Sequence, residues 1–174
     1  MGTEYKMLDF VNRNRVQLKE DLLRYFGDYE VEVYSRGNKG YEYLEADDFV
    51  LVIKNPYCNK TLDIELRGDF TVFFSDWHAH YFAFDNDYEE MKKDILGLLR
   101  GKIGVMLAVD SLNKPLSSHL CSARLTGLTD KFHLLNRYVH SEDVARKIIK
   151  MGGSIHIVCW NPADSSTFDI PAEC

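Results

Sequence analysis

Apolar residues in this chain change their spacing in blocks, and the blocks mark the elements. Met7, Val11, Leu18, Leu22 and Phe26 recur near every 3.6 residues, with Leu8 and Tyr25 widening the stripe, which predicts a helix over 4–26. Gly27 stands just past it, where a helix ends most easily on a residue tolerant of positive φ. The spacing then drops to two. Tyr29, Val31 and Val33 alternate with Glu30, Glu32 and Tyr34, and Tyr41, Tyr43 and Glu45 alternate with Glu42 and Leu44. Phe49–Ile53 is apolar on both faces and predicts a central, covered strand. Leu62, Ile64 and Leu66 alternate with Asp63, Glu65 and Arg67, and the apolar run Phe70–Ser75 follows. Connections this short permit only antiparallel neighbours, so the first half reads as a helix and a five-stranded meander.

The second half returns to helical spacing over 87–100, where Tyr88, Met91, Ile95, Leu98 and Leu99 share a face and Gly101 closes the element. Asp87 with Glu90 has the form of a capping box. Ile103, Val105, Leu107 and Val109 alternate as a strand, with further strands expected near 116–125 and 131–139. Ser141 caps a helix over 141–151 whose first turn holds Glu142 and Asp143, where the helix dipole favours negative charge. Ile155, Ile157 and Cys159 alternate in a last strand, and 161–174 reads as a polar, loosely held tail. These elements predict one α+β domain over 1–160, a largely antiparallel sheet of seven or eight strands with about three helices packed on one face.

At 174 residues the chain is long enough to bury a core without metal or disulfide support. A formal charge of −6 argues against nucleic-acid binding that rests on phosphate contacts, and leaves room for a basic protein partner. Homo-oligomers remain open. No apolar run approaches the roughly 20 residues that span a bilayer, and no signal peptide stands at the start, so a cytoplasmic protein with no membrane association is expected. Cys58, Cys121, Cys159 and Cys174 are widely spaced without a Cys-x-x-Cys, which reads as free thiols. The Gly-rich phosphate loops of nucleotide-binding proteins are absent.

Candidate chemistry centres on Trp77-His78-Ala79-His80-Tyr81 at the end of the Phe70–Ser75 run. Side chains alternate faces in an extended chain, so His78 and His80 point one way and Trp77 and Tyr81 the other. If the strand continues, Asp76 joins the imidazole face, but Asp76 to His80 spans roughly 13 Å, too far for one ion. A divalent metal such as zinc would need His78 or His80 plus donors from elsewhere: Asp76, Asp85, Asp87, His119, Cys121, His133, His140 or Cys159. No metal or other cofactor is expected as the leading reading. Trp77 and Tyr81 are candidate interface anchors, with packing on a helix as the alternative. Glu30, Glu32, Glu42, Asp63 and Glu65 line the outer face of the meander, which either is solvated or meets a basic partner.

The run Asp69–Tyr81, followed by Tyr88-Glu89-Glu90-Met91 and Asp94-Ile95-Leu96, resembles a group of uncharacterised bacterial proteins in which an aromatic strand ends in a Trp-His-x-His-like segment before an acidic helix. The resemblance covers about residues 62–110 and implies a fold neighbourhood without a mechanism. Small acidic α+β proteins of this kind look like toxin-immunity proteins. The leading expectation is a non-enzymatic, immunity-like protein-binding module using an acidic or aromatic surface of the meander. The competing one is a metal-assisted or His-based hydrolase on His78 and His80, with Asp76 or Asp85 orienting an imidazole.

Overall fold

The computed structural model describes residues 15–82, 85–123, 139 and 141–172, with the Asp85 side chain outside that set. The elements are α1 (Arg15–Tyr25), β1 (Val31–Tyr34), β2 (Phe49–Lys54), β3 (Thr61–Leu66), β4 (Phe70–Phe74), β5 (Trp77–Tyr81) and α2 (Asp85–Leu99). Then come β6 (Ile103–Asp110), β7 (Pro115–Ser122), α3 (Glu142–Met151), β8 (Gly153–Val158), a 3-10 turn at Pro162–Asp164, and β9 (Ser166–Ile170). The chain is α+β, as its periodicity predicts, but its strands form two antiparallel sheets instead of one. Five run in the order β1-β2-β3-β4-β5 and four in the order β7-β6-β8-β9. They belong to two compact units, Met1–Lys93 and Asp94–Cys174.

In the first unit the antiparallel register sorts side chains into two faces. Val31, Ile53, Leu62, Phe74 and Trp77 fall in one row and Val33, Leu51, Ile64, Val72 and Ala79 in the next. Leu51, Ile53, Leu62, Ile64, Val72 and Phe74 are buried there, as are Leu18 and Leu22 of α1, which lies against β2. Each such side chain withdrawn from water contributes about 1.5–3 kcal/mol, so this face dominates the unit's stability. Lys92 of α2 is buried with its ammonium 4.7 Å from the Tyr88 ring and 2.7 Å from Glu89, while the Tyr88 hydroxyl donates to Asp21 at 2.7 Å.

The meander has five strands, but not the five that alternation predicts. Residues 35–48 form a chain of turns, and Tyr41–Glu45 is not a strand. Leu44 and Tyr41 instead fold over Val50 and Val52, forming a small cluster with Tyr34 on the outer side of the sheet. This cover is why β2 is apolar on both faces. Asp48 pins it: its buried carboxylate lies 2.7 Å from Arg15 and 3.6 Å from Arg67, and accepts the Glu45 amide at 3.0 Å. The fifth strand comes from the histidine segment. The Phe70–Ser75 run does not continue through it: the chain reverses at Ser75-Asp76, with Ser75 at φ 55°, and β5 pairs back on β4.

In the second unit α3 lies against β6 and β8, and Ile148 packs with Met106, Ala108, Cys121, Ile155 and Cys159. Ser141 caps α3 as expected, accepting the Val144 amide at 3.4 Å. Gly101, at φ 64°, ends α2 in the left-handed region, whereas Gly27 follows α1 without adopting it. α2 starts at Asp85, so Asp87 lies inside it and its carboxylate accepts the Phe82 amide at 3.2 Å in place of the expected capping box. The expected polar tail is a structural strand: β9 pairs with β8, and Ile170 is buried in the core. Its apolar content is low because only one of its faces is covered. The helix predicted over 4–14, nearly all of the strand predicted near 131–139, and Cys174 lie outside the described residues.

Candidate functional site

The outer face of the five-stranded sheet is half covered and half open. Over β1 and β2 it carries the Tyr34–Tyr41–Leu44 cover, with the Tyr34 and Tyr41 rings stacked 4.5 Å apart. Over β3, β4 and β5 it carries the side chains that alternate with the core. The register places Glu32, Val52, Asp63, Phe73 and His78 in one row across all five strands. Tyr34, Val50, Glu65, Thr71 and His80 make the next row. Acid, imidazole and aromatic groups thus share one surface because each occupies the polar phase of its own strand.

His78 and His80 do share a face, as their spacing predicts, and both are exposed. Their rings meet edge-on at 5.4 Å between centroids; His78 lies 5.9 Å from the Phe73 ring, and His80 Nδ1 lies 3.1 Å from the Thr71 hydroxyl. Asp76 is not in their row, because it sits in the reversal between β4 and β5. Asp87 is bonded to the Phe82 amide, and His119 and Cys121 belong to β7 in the second unit. Cys159 is buried beside Cys121 in that unit's core. His133, His140 and the Asp85 side chain lie outside the described residues. Among the described residues no group of three or more His, Cys, Asp or Glu side chains converges on a point.

Trp77 and Tyr81, the candidate anchors, point into the sheet's core face with 5% and 8% of their surface exposed. Their rings pack instead of facing a partner. The reason lies in the hairpin register, which aligns Trp77 with Phe74 and Tyr81 with Phe70 on the apolar phase. The aromatic residues that do reach solvent here are Phe73, 37% exposed, and Tyr43, 52% exposed.

The acids of this face differ in how they are compensated. Glu32 is paired with Lys54 and accepts the Tyr34 hydroxyl, which hold its carboxyl below the usual range. Lys54 also reaches Glu30 at 3.2 Å. Glu65 accepts the Tyr43 hydroxyl at 2.9 Å, and partial burial together with that bond pushes the Tyr43 phenol up to about 12. Arg67 lies 5.7 Å over the Tyr43 ring and pairs with Asp48. Lys60 donates to Ser75 Oγ at 3.2 Å. Neither Asp63 nor Glu65 has a salt-bridge partner among the described residues. Burial is the main cause that pushes the Asp63 carboxyl up; a hydrogen bond from Thr61 opposes it and the neighbouring Glu65 adds to it. Asp63 also borders an open cleft of about 270 Å³, lined by Asn59, Lys60, Thr61, Phe73, Phe74 and Ser75 as well.

Alternation alone marks Asp63 and Glu65 as outer-face residues; their lack of a cation does not show in sequence, because it depends on where distant lysines and arginines turn. Comparison with protein-family models, with curated proteins and with solved structures finds no match to this chain.

Proposed function

We propose that this chain is a non-enzymatic protein-binding module, immunity-like in its mode of action, that presents the open outer face of β3–β5 to a basic protein. One observation carries the reading: among the described residues Asp63 and Glu65 have no salt-bridge partner, and Lys54, Arg67 and Lys60 are engaged with other groups. Lys54 serves Glu30 and Glu32, Arg67 serves Asp48, and Lys60 serves Ser75. Two acids without an ion-pair partner among the described residues, flanked by Phe73 and Tyr43, join the two features that drive recognition: steering over distance and aromatic rings at close range. The net charge of −6 adds to that steering.

The test is a titration of the ¹⁵N-labelled protein with a peptide alternating glycine with arginine and lysine. Amide shifts are expected to cluster at residues 61–65, 71–73 and 78–80. The Asp63→Asn/Glu65→Gln variant is expected to bind about tenfold more weakly, equivalent to about 1.4 kcal/mol. Shifts scattered over other surfaces, or an unchanged affinity in the variant, would overturn the proposal.

A further inference from the structure

Within that face, Asp63 is unusual in a second way. Its Oδ1 is shielded from water, exposing less than 1 Å², and no donor among the described residues reaches it. A carboxylate oxygen accepts and never donates, so one without a donor among the described residues has room for a donor from outside them. The groups around it describe what that donor would be. Phe73 is its cross-strand neighbour and stands partly open, Thr61 is two residues along the same strand face, and the cleft they line opens to solvent. At about 270 Å³ the cleft takes the end of one side chain better than a free drug-sized molecule.

From these groups we infer that the cleft at Asp63 is a receptor for one arginine side chain of a basic protein partner, its guanidinium donating to the Asp63 carboxylate and its flat face resting on Phe73. This deepens the proposed function and rests on it. Arginine fits better than lysine on three counts. Its guanidinium is weakly hydrated and so enters a partly dry cleft at lower cost than an ammonium. It presents several N–H donors in one plane, enough for Oδ1 and for its partner oxygen together. Its π-surface stacks on an aromatic ring, which an ammonium cannot do. Lys60, the one cation lining the cleft among the described residues, is turned to Ser75 Oγ and leaves the carboxylate to the incoming group. Binding requires the ionised carboxylate, so protonation of Asp63 competes with it, and affinity is expected to fall in acid before an ordinary aspartate would titrate.

The experiment compares three peptides of the same glycine-rich sequence with a single central arginine, lysine or citrulline, each titrated into the full chain and followed by amide shifts at residues 59–63 and 71–75. Arginine is expected to bind at least about fivefold tighter than lysine, and citrulline to give no saturable shift. Asp63→Asn is expected to abolish the arginine preference, and Phe73→Leu to reduce it while leaving charge intact. Glu65→Gln, which removes an equal charge from the same face, is expected to weaken arginine and lysine alike. Equal binding of arginine and lysine at these residues, or an arginine preference that survives Asp63→Asn, overturns the receptor while leaving the basic-partner reading in place. Absence of shifts there with all three peptides, and with the mixed basic peptide above, overturns both.

Discussion

Asp63 is predicted to act against the stability of the fold that holds it. Among the described residues its Oδ1 is shielded and without a donor, while Thr61 supports the carboxylate. A buried polar atom without its hydrogen bond costs about 1–3 kcal/mol. The Thr61 bond and the side chain's partial exposure bring the expected figure to the lower end, about 1 kcal/mol. Asp63→Asn keeps the shape and one unmet polar atom but removes the charge whose partial burial raises the carboxyl, so at pH 7 it is expected to stabilise the five-stranded sheet by up to about 1 kcal/mol. The sign of the pH dependence follows from the raised carboxyl. Between the unfolded-state titration and the folded one, the native state binds more protons than the unfolded state, so wild-type stability falls as pH rises through that window. The advantage of Asp63→Asn is therefore largest at neutral pH and disappears in acid, once Asp63 is protonated in both states. Urea unfolding read by Trp77 fluorescence in a Trp160→Phe background isolates the relevant unit, since Trp77 lies in β5 and Trp160 follows β8. A variant less stable than wild type at pH 7, or a difference that does not shrink on acidification, would refute the reasoning. Either result would mean that the carboxylate is already satisfied in the fold.

Asp48→Ala is expected to cost about 2 kcal/mol in the same unfolding assay, because it leaves Arg15 and Arg67 without their shared carboxylate and frees the Glu45 amide. Hydrogen exchange over residues 35–48 should accelerate, and unchanged exchange would show that the cover over Val50 and Val52 holds without Asp48. Burial pushes the Cys121 thiol up to about 11 and also raises Cys159, so neither should be alkylated by iodoacetamide at pH 8 in the native protein, while the partly exposed Cys58 reacts. Peptide mapping by mass spectrometry checks this, and native labelling of Cys121 would contradict its place in the core. A Cβ at Gly153 would run into the Val109 carbonyl oxygen, so Gly153→Ala is expected to destabilise the four-stranded sheet by about 2 kcal/mol or more, read as a lower urea midpoint of Trp160 fluorescence.

Most elements of this fold are legible in the sequence because they are amphipathic in the ordinary way. Leu62, Ile64 and Leu66 alternate with acids and form β3, and Ser141 begins α3 where a cap is needed. Two misreadings share one cause. Tyr41–Glu45 alternates like a strand, yet Leu44 is buried as a plug over Val50 and Val52. The Phe70–Ser75 strand would carry Asp76, His78 and His80 on one face if it continued, yet the chain folds back at Ser75-Asp76, a reversal without the glycine or asparagine that usually announces one. In both places the local pattern fits two structures, and the tertiary partner decides between them. The tail reads as loose for a related reason: β9 has one buried residue, Ile170, at its end, while Phe168 is only partly buried against the core and the Thr167 hydroxyl bonds to His156 across the strand pair.

The same logic explains why the candidate site was only half visible. The His78–His80 pair is conspicuous in sequence, and the structure does place both imidazoles on one exposed surface. What the sequence does not reveal is the company they keep. The reversal at Asp76 removes the nearest carboxylate from their row and turns β5 back along β4, which brings His78 into line with Phe73 and, one strand further, with Asp63. A residue 15 positions earlier in the chain thereby becomes part of the same surface. The unusual property of Asp63 is a negative one, an Oδ1 without a donor among the described residues, and it emerges only when Lys54 and Arg67 have been assigned to other acids and Lys60 to the Ser75 hydroxyl. Among the described residues the cations around Asp63 are bonded to other groups, and Asp63 borders an open cleft beside the exposed Phe73 ring, the arrangement on which the proposed arginine receptor rests.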